Sequence, residues 1–308
     1  MREVTIGLLG CGTVGQGFVR LLKQGRFAQL RVGRILVRDL KKERPGIDPK
    51  LLTTNAIAVI DDCDLLVELI GGVHSAGAYV RRALRNGRDV VTANKALLAQ
   101  CGRDLFTIAT ENGARIGFEA SVCGGIPIIR AIERGLAGDS IESLTGILNG
   151  TCNFILTRME ERGIDFETAL RLAQDLGIAE ADASLDVSGT DALQKLQILA
   201  ELAFGESNPR TKVHGIDDIS REEIEQARSR RCVVRQVASA RRTPGGVELR
   251  VERRELPESH PLASVRDENN AVIVRASAVG EMLFTGKGAG SLPTAAAVLS
   301  DVIELTQI

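Results

Sequence analysis

The chain has 308 residues, a formal net charge of −1, six cysteines and three histidines. That length makes two domains the expectation, each able to bury its own core, and the balanced charge offers nothing to nucleic acid or a membrane surface. No apolar run approaches the roughly 20 residues of a membrane span, no Cys-x-x-Cys pair suggests zinc or a disulfide framework, and no basic-then-apolar leader precedes the first strand, so a cytoplasmic protein with reduced thiols is expected.

Residues Val4–Leu9 form a short apolar run of the kind found in a fully buried parallel strand. The loop Gly10-Cys11-Gly12-Thr13-Val14-Gly15 follows, and Phe18, Val19, Leu21 and Leu22 then recur at helical spacing. Further strands are expected at 32–37, 65–70, 89–92 and 114–119. Helices are expected at 76–86, closed by Gly87, and at 95–112, ended by Gly113. Strands alternating with helices mean a doubly wound, Rossmann-like parallel sheet. The pattern changes after Pro127. Asn149-Gly150-Thr151 is a turn signal between apolar residues. Asp165 can cap a helix whose apolar face is Phe166, Ala169, Leu170, Ala173 and Leu176. Helices follow at 190–204, with Thr190 as a cap, and at 222–229. Alternating apolar residues over 232–278 read as an antiparallel sheet. A last glycine loop, 286–290, precedes a helical segment at 294–305. The expected domains are 1–128 for a nucleotide and an α+β domain after it.

A strand followed by Gly-x-Gly-x-x-Gly opening a helix is the dinucleotide fingerprint. Gly10 makes the turn, Gly12 admits the pyrophosphate to the helix N-terminus, and Gly15 lets the helix approach the sheet. The second strand ends in Val37-Arg38-Asp39. A carboxylate there would hold the ribose of NAD, whereas Arg38 would accommodate the 2′-phosphate of NADP; NADP is favoured, with NAD retained as a substitute. Lys95 opens a helix after a buried strand, where its charge opposes the helix dipole, and that conflict points to a functional role. Residues 177–195 gather Glu180, Asp182, Asp186 and Asp191 with Lys195, a set suited to a small polar substrate bearing an amine and a carbonyl. Asp191 and Lys195 are one helical turn apart beside an apolar stripe, and desolvation there would make the lysine a useful acid. Cys123 invites a nucleophile reading, although such cysteines are mostly small buried hydrophobes. The glycines around it fit a backbone loop that could hold a hard cation together with Glu119.

Taken together, GCGTVG at 10–15, ELIGG at 68–72, TANKALLA at 92–99, EASVCGGIPIIR at 119–130, GILNGTCNFIL at 146–156, AEADASLDVSGTDALQKL at 179–196 and GKGAGSLPTAAAVLSDVI at 286–303 closely resemble the homoserine dehydrogenase family. The resemblance implies reversible, NAD(P)-dependent reduction of L-aspartate 4-semialdehyde to L-homoserine on the route to threonine, methionine and isoleucine. It places the proton-donor lysine on Lys195, a second active-site lysine on Lys95, the substrate-binding glutamate on Glu180, and supporting aspartates on Asp186 and Asp191. It implies a monovalent cation, typically sodium, on Glu119, Val122, Gly124 and Ile126, with backbone ligands at all but the first. It also sets the last glycine loop, with Gly288 and Gly290, against the cofactor, which would return 286–308 to the first domain and leave 129–285 for substrate and dimerisation, and it implies a homodimer or a dimer of dimers. Lys287 and Ala183 stand where many relatives have proline. The family's C-terminal regulatory domain is not expected here, nor is a threonine-binding module. Two other readings compete: an aldehyde dehydrogenase forming a thioester on Cys123, and a nucleotide-sensing regulator that would not need Glu180, Asp191 and Lys195 together.

Overall fold

The computed structural model describes residues 3–25, 27–205 and 209–307. Met1, Arg2 and Ile308, the outer residues of the expected first domain, lie outside them. The chain divides into two units, Met1–Gly125 with Gly290–Ile308, and Ile126–Ala289.

The first unit is built on a six-stranded sheet. Its strands are β1 (Val4–Leu9), β2 (Leu30–Leu36), β3 (Leu52–Thr53), β4 (Leu65–Glu68), β5 (Asp89–Thr92) and β6 (Ile116–Gly117). They lie in the order β3-β2-β1-β4-β5-β6, every pair parallel. This is the expected Rossmann-like arrangement, with the reversal of strand order falling between β1 and β4. Ile6, Leu8, Val67 and Val91 turn to one face and pack on α1 (Thr13–Gln24) through Phe18, Val19 and Leu22. Leu9, Leu66 and Val90 turn to the other and meet α2 (Ala56–Asp61), α3 (His74–Arg85) and α4 (Lys95–Glu111). Burial on both faces is why these strands read as continuous apolar runs.

Two expectations change here. The strand at 114–119 shrinks to Ile116–Gly117, because the Glu119 amide donates to Asp301 and the Ser121 hydroxyl to the Phe118 carbonyl, drawing Glu119–Ser121 into a 3-10 turn. The segment 52–61, unassigned from sequence, holds β3 and α2; the Asn55 side chain caps α2 by accepting from Ile57 and Ala58.

The second unit opens with α5 (Ile128–Arg130), which runs into a π-type turn at Ala131–Gly135. It continues as β7 (Ile141–Ile147), α6 (Gly150–Arg162), α7 (Phe166–Asp175), α8 (Ser184–Val187), α9 (Thr190–Phe204), β8 (Arg210–Val213), α10 (Arg221–Ser229), β9 (Cys232–Thr243), β10 (Gly246–Pro257), β11 (Asn269–Ala276) and β12 (Gly280–Lys287). The sheet order is β12-β11-β7-β9-β10-β8. All pairs are antiparallel except β8 on β10, so the sheet is mixed rather than purely antiparallel. One face packs through Val234 on α6, α7 and α10. On the other, the 3-10 turn Pro261–Ser264 covers Val233 and Val237, while Ser143, Thr145, Ser239, Arg241, Glu248 and Arg250 line an open cavity of about 240 Å³.

The turn signal at Asn149-Gly150-Thr151 falls where β7 ends and α6 begins. Asn149 is the N-cap of α6, its Oδ1 accepting from the Cys152 amide at 2.7 Å. Thr190 is not a cap: Gly189, at φ 85°, holds that position, where a Cβ would press on Val213 and Val251 at 3.1 Å. Gly286 and Lys287 end β12 and so belong to the second sheet. The chain then returns to the first unit as α11 (Ser291–Thr306), which packs on α1 through Ala295, Val298, Leu299 and Val302.

Candidate active site

In the first unit, β1 ends at a loop shaped by its glycines. Gly10 has φ 99° and lies so close to the Leu69 carbonyl that a Cβ would approach it to 2.7 Å. A Cβ on Gly15 would collide with the Gly10 carbonyl oxygen, whereas one on Gly12 would meet nothing within 4 Å. Gly12 is therefore not demanded by packing within the chain. It leaves space over the N-terminus of α1, which has no side-chain cap and no acid in its first turn. The amides of Thr13, Val14 and Gly15 lack acceptors within the helix, and the helix dipole adds partial positive charge there. These residues fit a dinucleotide pyrophosphate. Arg38 is exposed just beyond β2, and the Asp39 carboxylate is turned into its own loop, accepting from the Lys41 amide at 2.8 Å. Arg44, not singled out from sequence, donates to the Asp39 and Lys42 carbonyls, and its charge reaches Cys11, opposing the upward push of burial on that thiol.

A buried polar chain holds the neighbouring loops at the carboxyl ends of β4 and β5. Glu68 is 0% exposed. Its Oε1 accepts from the Ile70 and Gly71 amides at 2.8 and 3.0 Å, and its Oε2 from the Thr92 hydroxyl at 2.7 Å. Thr92 Oγ1 in turn accepts from the Asn94 amide at 3.0 Å. Asn94 donates to the Gly72 carbonyl at 2.6 Å and caps α4 through the Leu97 amide, which sets half-buried Lys95 at the head of that helix. The sequence did carry a signal for Glu68: an acid ending an apolar strand just before a Gly-Gly turn.

In the second unit, α8 and α9 bring Asp186, Asp191 and Lys195 to the N-terminus of α6. Lys195 Nζ lies 2.8 Å from Asp191 Oδ2 and 2.7 Å from the Leu148 carbonyl. The two side chains are only 12% and 10% exposed, so this is a buried pair rather than a surface i,i+4 contact. Asn149 Nδ2 donates at 2.7 Å both to Asp186 Oδ1 and to Asp191 Oδ2. Asn270 donates to the same Leu148 carbonyl at 3.0 Å and packs against Gly288, where a Cβ would collide with it. Cys152, fully buried below, is pushed up by burial and by the charges of Asp186 and Asp191, with Lys195 acting in the opposite sense. Sequence reasoning had not singled out Asn149 or Asn270.

Glu180 and Asp182 lie on the connection between α7 and α8. Glu180 is exposed; its carbonyl accepts from Gln174, and among the described residues its carboxylate has no hydrogen-bond partner. Asp182 accepts from Ser184 and is held below the usual carboxylate range by that residue. Gly290, at φ 118°, is the cap residue of α11.

Glu119 is 2% exposed at the start of its 3-10 turn. Val122 and Ile126 are buried, and Cys123 and Gly124 are successive left-handed residues at φ 55° and 47°. A buried carboxylate beside a sharply turned backbone is a donor set suited to a hard cation. The Cys123 thiol is 1% exposed, which speaks against its use as a nucleophile. No helix among the described residues is long and apolar enough to cross a membrane.

Two family models match the chain: homoserine dehydrogenase over residues 127–303, and homoserine dehydrogenase, NAD binding domain, over 10–119. The homoserine dehydrogenase of Bacillus subtilis (strain 168) is 44% identical over 315 residues, covering 98% of this chain and 73% of its own length. A crystal structure of a homoserine dehydrogenase from Thiobacillus denitrificans is similar with a TM-score of 0.95 at 42% identity, covering 100% of this chain and 74% of that one. A hyperthermophilic archaeal homoserine dehydrogenase in complex with NADPH is similar with a TM-score of 0.85 at 28% identity, covering 99% and 98%.

Proposed function

The chain belongs to the homoserine dehydrogenase family, and on that premise we propose how its residues divide the work. It is an NAD(P)-dependent oxidoreductase acting on L-homoserine and L-aspartate 4-semialdehyde. The bound nicotinamide cofactor supplies the hydride in the reductive direction and accepts it in the other. Gly10, Gly12, Thr13, Val14 and Gly15 hold its pyrophosphate, with Gly288 and Gly290 contributing from the last loop. Arg38 reads the 2′-phosphate of NADP, a preference supported by the NADPH complex of the archaeal relative.

As hydride reaches the aldehyde carbon, negative charge grows on its oxygen. A cation fixed within hydrogen-bond reach stabilises that charge and delivers the proton. Lys195 has this role, and the observation that carries it is the buried ammonium clamped between Asp191 Oδ2 and the Leu148 carbonyl. Asp186 and Asp191 support it. Glu180 takes the ammonium of the amino-acid substrate, its exposed carboxylate being available to a ligand. Lys95 is the second lysine of the reaction. Lys195→Ala should lower kcat by about 10²–10⁴ with NADPH affinity unchanged, measured by cofactor fluorescence and initial rates. Near-normal turnover in Lys195→Ala, with none in Lys95→Ala, would exchange their roles.

Glu119, with the carbonyls of Val122, Gly124 and Ile126, holds a monovalent cation, taken as sodium. The molecule works as a homodimer or dimer of dimers. That reading is supported by the uncovered sheet face around Ser143, Thr145 and Ser239, and by Leu283, 46% exposed on β12. The reaction feeds threonine, methionine and isoleucine formation in the cytoplasm.

A further inference from the structure

We propose that Asn149 is a positioning residue for proton transfer, holding Asp191, and through it Lys195, in register by donating one amide hydrogen to each of two carboxylates. The proposal rests on the reading of Lys195 as the proton donor. Asn149 has two tasks that substitution can separate. Its Oδ1 caps α6 through the Cys152 amide, whereas its Nδ2 bridges Asp186 and Asp191, each at 2.7 Å. A side-chain amide is the group suited to both, with an acceptor at one end and two N–H donors at the other. Two carboxylates drawn to one point repel unless a donor lies between them. Asn149 supplies that donor without adding charge, so Asp191 Oδ2 stays where Lys195 Nζ meets it at 2.8 Å. The residue is 3% exposed, which fixes its rotamer. Among the described residues, the titratable groups facing it are Asp186 from α8, Asp191 and Lys195 from α9, and the Cys152 thiol of its own helix, while β11 and β9 bring the uncharged amides of Asn270, on the Leu148 carbonyl, and Gln236, beside Cys152.

Asn149→Asp separates the tasks, because aspartate caps a helix as well as asparagine does. The variant keeps the acceptor for Cys152, loses both donors and sets a third carboxylate between the other two. If Asn149 only caps α6, turnover is unchanged. If it positions Asp191, kcat falls by about 100-fold, the scale of an ångström's misplacement of a catalytic group, while NADPH affinity holds. The pH profile then changes in a defined sense. A third carboxylate in the cluster raises the pH at which one of them takes up a proton, and a protonated Asp at 149 restores one donor. Residual activity therefore rises toward acid pH, and that limb is absent from the parent profile. Asn149→Ser, neutral and still a good cap, should lose at least about 10-fold in kcat without the acid limb, and it decides the matter if the aspartate variant does not fold. Parent-like kcat and pH profile in the folded variants would overturn the proposal. Parent-like turnover in Lys195→Ala would instead overturn the reading on which it rests.

Discussion

Replacing Glu68 by Gln tests whether one buried carboxylate holds the wall of the nucleotide loop. The carboxylate takes three donors, from Ile70, Gly71 and Thr92, with no exposure to water. In Gln the oxygen can keep the two backbone amides. Each of those bonds then drops from a charge-assisted value of about 1.5–3 kcal/mol to a neutral one of about 0.5–1.5. The new NH2 faces Thr92 Oγ1, which already accepts from Asn94. The hydroxyl must turn away, and its own proton loses its acceptor. Against these losses stands the relief of no longer burying a charge. The net cost is about 1–3 kcal/mol, or roughly 2–4 °C of melting temperature per kcal/mol for a unit of this size. Function should suffer beside stability, because Leu69 packs on Gly10 and the 69–72 loop sets the shape of the dinucleotide turn. Thermal unfolding and NADPH titration of the pure protein measure both. A melting temperature within about 1 °C of the parent, together with unchanged cofactor affinity, would refute the assignment of loop support to the Glu68 charge.

Three further outcomes are expected. The Ser277 hydroxyl, then the Val279, Ala278 and Ser140 amides, hold Asp139 down to about 2, below its ordinary 3.8. Its contribution to stability is therefore full above about pH 4 and is lost as pH falls through about 2; the urea midpoints of Asp139→Asn and parent should differ at neutral pH and converge in acid, and a constant gap would contradict this. Arg38→Ala should weaken NADP by about 10- to 150-fold, the equivalent of a charge-assisted bond of roughly 1.5–3 kcal/mol, and leave NAD nearly unchanged; equal losses in calorimetric titrations would dismiss Arg38 as the reader. Light scattering at micromolar concentration should give at least twice the chain mass, and a monomer would count against use of the uncovered sheet face.

The first unit is legible in sequence because its strands are buried on both sides and its turns are made by glycine. Val4–Leu9 and Asp89–Thr92 emerge at the bounds expected. The strand at 114–119 is not legible, because what bends it is Asp301, far along the chain. The same limit applies in the acid-lysine cluster. The i,i+4 spacing of Asp191 and Lys195 shows in the sequence, but their burial and the Leu148 carbonyl between β7 and α6 do not. Asn149-Gly150-Thr151 reads only as a turn signal, and that Asn149 caps α6 emerges from its Oδ1 accepting from the Cys152 amide. The place of Glu180 in the acid-rich segment shows in the sequence, whereas its exposure on the connection between α7 and α8 does not.

The return of α11 to the first unit bears on how the protein is made. The apolar cluster that α1 and the sheet share through Phe18, Val19 and Leu22 is completed by Val298, Leu299 and Val302 of α11. Those residues leave the ribosome only after the whole of Ile126–Ala289 has been synthesised. At about 5–20 residues per second that interval is roughly 8–30 s, far longer than a helix or hairpin takes to form. The second unit can complete itself during this time, while the earlier-made nucleotide-binding unit carries an uncovered apolar face. Order of translation and order of folding are thus opposed: the first segment to be made is the last to be finished, and a nascent chain stalled short of residue 290 would present the face of α1 to chaperones.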